Sequence, residues 1–252
     1  MFELRGLHVY YGKSHVVQGV SLEAGAGEAV GLVGRNGVGK TTTLKAIIGL
    51  LRQTRGEIRF NGREISRLPV HRRAGLGLGY VPEERAVFPE MSVEENIRIG
   101  ALLQSGRGQE ACLDAAYGLF PILRERREQL AGTLSGGQQK MLSLARGLAL
   151  QPRLLLVDEP SEGLMPMFVA HVGAALARAA EDGNAILLVD ASYELLRRVC
   201  SRLYVMDRGL ITGVYRPEEF ASPDALAAAY LGSGSADSDA GAPAHAAEAT
   251  TA

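Results

Sequence analysis

The sequence predicts an α/β fold around a mainly parallel sheet, and three observations carry that prediction. Short apolar runs alternate with helix-length segments over most of the 252 residues, the pattern of strands joined by crossover helices. A glycine-rich turn with phosphate-binding spacing falls between one such run and the helical segment after it. Glycine accounts for 31 residues, about 12% against a usual ~7%, so many backbone positions serve tight turns or close approach to a ligand.

Taken in order, residues 29–33 read as a buried strand and 41–50 as a helix. Residues 57–60 then enter Asn61-Gly62, the strongest short hairpin signal. Further strands are expected at 79–82, 154–157, 185–189 and 203–206, and helices at 166–181, 193–200 and 217–231. Between 89 and 150 helices follow one another without strands. Ser92 and Glu95 form a capping box opening a helix through about 103. A second helix runs near 109–120, and a third fills 139–150 after Ser135. This stretch reads as a helical subdomain inserted into the core. Residues 233–252 hold eight Ala, three Ser, two Gly and two Thr, with no Leu, Ile, Val or aromatic residue. Such a segment buries too little to offset ordering entropy and is expected to be a disordered tail behind a domain at 1–232. The chain has no internal repeat.

Composition excludes several classes. Lys and Arg total 27 against 28 Asp and Glu, a net charge of −1, which argues against nucleic-acid binding by bulk charge. Hydrophobic residues at 46% with 22% charged suit a globular protein. Cys112 and Cys200 make no C-x-x-C and no framework, so a reducing compartment is expected. No apolar run reaches 18 residues and no leader pattern opens the chain, so neither a membrane span nor secretion is expected. Lysine is scarce: only 13, 40, 45 and 140 among the 27 basic residues.

The chemistry starts at Gly34-Arg35-Asn36-Gly37-Val38-Gly39-Lys40-Thr41, which fits G-x-x-x-x-G-K-[ST]. Glycines let successive backbone N–H groups converge on phosphate oxygens, and the helix N-terminus adds the positive end of its dipole. Lys40 reaches the β- and γ-phosphates and the Thr41 hydroxyl ligates Mg²⁺. Chance would supply roughly 0.005 such matches in this composition, before the strand and helix context is required. Leu154-Leu155-Leu156-Val157-Asp158-Glu159 ends an apolar strand in two carboxylates, at the strand end where open α/β sheets place ligands. Asp158 is expected to hold the Mg²⁺ shell and Glu159 to act as the base on a water. A second nest, Leu134-Ser135-Gly136-Gly137-Gln138, precedes an amphipathic helix, with Ser135 as its N-cap.

These three segments, in this order, resemble the ATP-binding subunits of ABC transporters, over nearly the whole chain up to about Gly232. The resemblance implies the ABC ATPase fold: an α/β P-loop NTPase core with a mainly parallel sheet, N-terminal antiparallel β elements and an inserted helical subdomain. It implies ATP and Mg²⁺ as cofactors, with Thr42 among the ATP-binding residues. Leu134, Ser135, Gly136, Gly137 and Gln138 become the signature motif, which closes on ATP held by the opposite subunit. Tyr11 falls where the family stacks an aromatic ring on adenine, Ser161, Glu162, Gly163 and Leu164 at the D-loop, and Glu83 at the Q-loop, where most members carry a Gln near magnesium.

The stretch Gly79-Tyr80-Val81-Pro82-Glu83 through Val87-Phe88-Pro89, then Ser92-Val93-Glu94-Glu95-Asn96, resembles the LivF-type ATPase of branched-chain amino-acid importers. Urea-importer ATPases share much of it, including Glu162-Gly163. The resemblance implies a cytoplasmic ATPase, peripheral on the inner face of the cell membrane, working with membrane permease subunits and, indirectly, a periplasmic or extracellular solute-binding protein. Pairing with a second ATPase or with itself stays open. One position departs from the family. Ala191 stands where most members carry a histidine contacting the γ-phosphate, and alanine can neither donate nor accept. Asp190 or Ser192 is a candidate substitute, and a regulatory subunit with little hydrolysis is the alternative reading. A soluble ABC ATPase of DNA repair or translation is disfavoured by the lack of a coiled-coil insertion or second cassette.

The remaining candidates are structural. His8, His15, His71, His171 and His245 show no metal-ligand spacing, and Arg124-Glu125-Arg126-Arg127-Glu128 reads as a solvated helix end. Val87, Phe88, Met91, Val93, Ile97 and Ile99 read as core of the helical subdomain, part of which, by the resemblance, grips the membrane subunit.

Overall fold

The computed structural model describes residues 2–51, 54–84, 87–104 and 106–231. The expected tail at 233–252, with His245, lies outside them. Among the described residues the strands are β1 (Phe2–Tyr11), β2 (Ser14–Ala24), β3 (Ala29–Val33), β4 (Thr54–Phe60), β5 (Arg63–Glu64), β6 (Leu78–Val81), β7 (Leu154–Asp158), β8 (Ala185–Val189), β9 (Arg202–Asp207) and β10 (Leu210–Tyr215). They form an antiparallel sheet in the order β2-β1-β4-β5 and a six-stranded sheet in the order β10-β9-β3-β8-β7-β6. The second sheet is parallel except for β10 on its edge.

The strands of the parallel sheet are apolar runs because both faces are covered. Their side chains alternate between two cores. Val30, Leu32, Leu154, Leu156, Leu187, Val189, Tyr204 and Met206 face the antiparallel sheet and the first helix. Ala29, Val33, Leu155, Val157, Ile186, Leu188, Leu203 and Val205 face the helical side. Asn61 and Gly62 both take positive φ, 49° and 77°, and close the β4–β5 hairpin as the primed turn their sequence demands.

The helices are α1 (Lys40–Ile48), α2 (Val70–Gly75), α3 (Val93–Gly100), α4 (Gly106–Leu119), α5 (Pro121–Glu125), α6 (Gly136–Ala149), α7 (Pro166–Glu181), α8 (Tyr193–Val199) and α9 (Pro223–Leu231). The expected capping box opens α3: the Glu95 N–H donates to Ser92 Oγ at 3.1 Å and the Ser92 N–H to Glu95 Oε2 at 2.7 Å. α3 and α4 pack on α6, forming the helical subdomain. Asn96, fully buried, donates to the Phe88 carbonyl and accepts from the Phe88 N–H, which fixes the turn ahead of α3. Val93 and Ile97 are core, as expected, with Val87 packed against them. Phe88 is a correction: its ring is 45% exposed, with the Arg146 guanidinium 5.0 Å from its centroid.

One further reading is corrected. The single helix expected at 217–231 is a 3-10 turn (Pro217–Glu219) followed by α9. Pro223 starts the second piece, and Ser222 Oγ accepts from the Ala225 N–H at 3.2 Å, so each proline sits in a first turn, where its missing N–H costs nothing. Phe220, between the two pieces, is drawn into the core. His8 and His15, seven residues apart, meet across the β1–β2 hairpin with Nδ1 and Nε2 3.0 Å apart, and His15 stacks on Tyr10. Both cysteines are buried free thiols. No helix among the described residues is long and apolar enough to cross a membrane.

One buried cation holds the helix that follows the glycine-rich turn. Arg73 in α2 donates to the Ala46 and Ile47 carbonyls at the end of α1, at 2.9 and 2.6 Å, and to the Ser66 and Leu68 carbonyls, at 2.7 and 2.8 Å. Gly49, left-handed at φ 91°, ends α1 beneath that guanidinium; a Cβ there would lie 2.9 Å from Arg73 Nε. Removing the guanidinium takes a donor from the buried Ile47 carbonyl and from the part-buried Ser66 and Leu68 carbonyls together. Arg73→Met is therefore expected to lower the unfolding free energy by about 3 kcal/mol in urea at an unchanged m-value; a loss below about 0.5 kcal/mol contradicts this account.

Candidate functional site

The parallel strands bring their carboxyl ends to one edge. Leu32 of β3 pairs with Val189 of β8, Val189 with Asp158 of β7, and Val81 of β6 with Val157. The segments that follow these strands, beginning at Gly34, Glu83, Glu159 and Asp190, therefore emerge side by side.

The glycine-rich turn occupies tight space. A Cβ on Gly34 would lie 2.2 Å from the Met206 carbonyl oxygen, and one on Gly39 2.9 Å from Met206 Cε and 3.2 Å from the Val16 carbonyl. Gly37 and Gly39 take left-handed φ of 84° and 113°. The loop thus wraps closely between β9 and β2, a path side chains would block. Lys40 begins α1 and is 6% exposed; its Nζ donates to the Gly34 and Arg35 carbonyls at 2.9 and 3.1 Å and lies 3.8 Å from Glu159 Oε1.

Thr41 and Asp158 meet as expected. Thr41 Oγ1 donates to Asp158 Oδ1 at 3.1 Å, and the Tyr80 hydroxyl donates to Oδ2 at 3.3 Å. Asp158 is fully buried. Burial raises its pKa, and the Thr41 and Tyr80 hydrogen bonds only partly offset that. The Tyr80 hydroxyl is pushed up by its own burial and by the neighbouring Asp158 charge. A hydroxyl in the first turn of α1 and a carboxylate at the end of β7 are hard oxygen donors of the kind Mg²⁺ takes together with phosphate oxygens, so these residues fit that ion.

Glu159 follows in a left-handed conformation, φ 44°, costing on the order of 1 kcal/mol for a residue with a Cβ. Its N–H donates to the Val189 carbonyl at 2.8 Å, and its carbonyl accepts from Lys140 Nζ at 2.9 Å. Burial raises the Glu159 pKa; Lys40 opposes the rise, while Glu83, Asp158 and Glu162 add to it. Carboxylate oxygens of Glu83, Glu159 and Glu162 lie within 4.8 Å of one another.

A cavity of about 400 Å³ collects Asn36, Gly37, Gly39, Lys40, Thr41, Thr42, Glu83, Glu159 and Glu162. The loop, the Thr41–Asp158 pair and the two expected glutamates thus share one site that can take a phosphate chain with a divalent cation and a water. Tyr11 does not line it; it stands 49% exposed at the end of β1. Leu134, Ser135, Gly136, Gly137 and Gln138 do not line it either. They build a separate nest at the start of α6: the Gln138 N–H donates to Ser135 Oγ at 3.4 Å, and the Ser135 N–H to Gln138 Oε1 at 3.1 Å. Leu134 is buried, and Gly137 packs against Leu164 and Phe168.

Both neighbours of Ala191 make hydrogen bonds within the chain. Asp190 is buried and accepts from the Ser161 N–H, the Ser161 hydroxyl and the Ser192 N–H, at 3.0, 2.6 and 2.7 Å. Ser192 Oγ caps α8 by accepting from the Leu195 N–H at 3.3 Å. Ala191 itself is exposed.

Sequence reasoning missed three participants: Tyr80, Lys140, and Glu162 as a cavity residue. Lysine scarcity was a signal for Lys140. The others lie at strand ends or in loops, where no spacing rule marks a side chain.

Residues 17–162 match the family described as ABC transporter. The chain is 36% identical to the high-affinity branched-chain amino acid transport ATP-binding protein BraG of Pseudomonas aeruginosa, over 84% of this chain and 91% of that protein. It is 35% identical to the lipopolysaccharide export system ATP-binding protein LptB of Haemophilus influenzae, over 88% of this chain and 93% of that one. A solved structure of the ATP-binding subunit of an ABC transporter superposes with a TM-score of 0.81 at 26% identity, covering 92% of this chain and 99% of that one. By sequence and by fold, this chain belongs to the ABC transporter family, as an ATP-binding subunit.

Proposed function

We propose that this chain is the ATP-hydrolysing motor of a solute importer, with branched-chain or related amino acids as the solute. The observation that carries hydrolysis is the convergence of Lys40, Thr41, Glu83 and Glu159 in one cavity, with Asp158 hydrogen-bonded to Thr41 beneath them. Likeness to BraG supports the amino-acid solute. Likeness to LptB is almost as strong and supports a second reading, in which the motor serves export of a lipid-linked glycan.

In this reading the amides from Gly34 to Thr42 and the Lys40 ammonium cradle the phosphates. Thr41, Asp158 and Glu83 would hold Mg²⁺, which would supply charge neutralisation at the phosphates. Glu159, its pKa raised by burial, orients and deprotonates the attacking water. Tyr11 stacks on adenine beyond the cavity. The Ser135 nest does not line the cavity of its own chain, and it acts on ATP held by a second ATPase subunit in a head-to-tail pair. Ser161, Glu162, Gly163 and Leu164 face that partner, and the segment from Glu83 onward meets a membrane permease subunit.

A regulatory reading rests on Ala191, since Asp190 and Ser192 are both engaged elsewhere. Three measurements decide among these readings. Glu159→Gln is expected to cut steady-state phosphate release at least 10²-fold while ATP still binds; wild type no faster than this variant, with ATP still driving dimerisation, leaves only the regulatory subunit. Ala191→His supplies a donor toward developing charge and is expected to raise kcat about tenfold or more; an unchanged kcat removes the argument built on position 191. ATP-dependent uptake of labelled leucine by vesicles holding the chain with its membrane subunits supports the importer, and ATP-dependent extraction of lipopolysaccharide supports the exporter.

A further inference from the structure

The left-handed backbone at Glu159 requires something to hold it, and the restraint comes from both sides. On the sheet side the Glu159 N–H is bonded to the Val189 carbonyl of β8 at 2.8 Å. On the helical side the Glu159 carbonyl accepts from the Lys140 ammonium at 2.9 Å, the shorter of its two bonds, and from the Glu162 N–H of its own turn at 3.3 Å. Lys140 is 11% exposed, and its Nζ lies 3.8 Å from Glu162 Oε2. A positive charge here also offsets the crowding of Glu83, Glu159 and Glu162. The choice of side chain matters in a chain with four lysines among 27 basic residues. An ammonium is a compact point charge that reaches one carbonyl, whereas the planar guanidinium favours paired acceptors. A charge-assisted hydrogen bond is shorter and stronger than a neutral one.

We propose that Lys140 is a positioning residue for Glu159: its ammonium grips the Glu159 carbonyl and fixes the left-handed turn that aims the carboxylate into the cavity beside Lys40. Lys140 stands in the second turn of α6, whose first residues form the Ser135 nest. A displacement of that nest along α6 is therefore transmitted to the Glu159 carbonyl of the same chain. The inference rests on the reading of Glu159 as the group that orients water.

Two readouts on the full chain test it. In Lys140→Met, kcat for Mg-ATP is expected to fall about tenfold, with the Kd for the probe TNP-ATP within twofold of wild type and Tm within a few degrees. Lys140→Arg, which keeps a charge and a donor, should recover at least a third of the wild-type rate. An unchanged kcat in Lys140→Met overturns the proposal, as does a loss shared equally by Kd and Tm that Arg fails to rescue. Amide hydrogen exchange gives the second readout, independent of turnover. The Glu159 amide, followed in a peptide covering 154–165 without nucleotide, should exchange at least tenfold faster in Lys140→Met. Unchanged exchange overturns the proposal even if turnover falls. Faster exchange in a chain whose wild type hydrolyses nothing supports the positioning role and removes the hydrolytic reading of Glu159.

Discussion

The parallel register of β3, β8 and β7 is the constraint on which the site depends. Each strand is buried on both faces by alternating side chains, so polar chemistry has no room within the sheet and collects at its carboxyl edge. Asp158 shows how strong that constraint is. It is the last residue of β7 and fully buried, a position where an unpartnered carboxylate costs several kcal/mol. The Thr41 and Tyr80 hydroxyls each satisfy one carboxylate oxygen. Thr41 reaches Asp158 only because the glycine-rich turn bends sharply enough to start α1 beside the end of β7, and Arg73 in turn fixes the far end of α1.

Electrostatics at this edge are unbalanced within one chain. Glu83, Glu159 and Glu162 crowd a cavity in which Lys40 is the lysine present, while Lys140 approaches from the side on the backbone of Glu159. The raised pKa of Glu159 follows from that crowding together with burial. A polyphosphate entering the cavity meets these carboxylates directly, so a divalent cation held by Thr41 and Asp158 would serve the protein's own charge balance as well as the phosphates.

Much of this was legible in the sequence, for a physical reason. The phosphate loop, the Asp158-Glu159 strand end and the Ser135 nest are contiguous segments whose function is set by backbone path, and backbone path is set locally by glycines and caps. The strands of the parallel sheet were legible because burial on both faces leaves uninterrupted apolar runs. What escaped was made by tertiary contact. His8 and His15 meet because a hairpin folds them together, despite a spacing that suggests nothing. Phe88 is apolar yet exposed because Asn96 pins its backbone from beneath and leaves the ring outside. The break at 220–222 falls at Ser222-Pro223, a helix start inside the apolar pattern, and Phe220 is buried there against Tyr215.

Asp190 shows how one loop can remove a polar group from a site while strengthening the site's frame. The end of β8 lies between the phosphate-facing edge and the segment that follows Glu159. Asp190 accepts three hydrogen bonds from Ser161 and Ser192, which tie the residue two after Glu159 to the end of the strand that also receives the Glu159 N–H. Glu159 and Ser161 are thereby both anchored to β8, and Lys140 adds an anchor from α6. With Asp190 held in this way and Ser192 capping α8, the exposed side chain between them is the methyl group of Ala191. The loop's contribution to the site is therefore the anchoring of the backbone that carries Glu159.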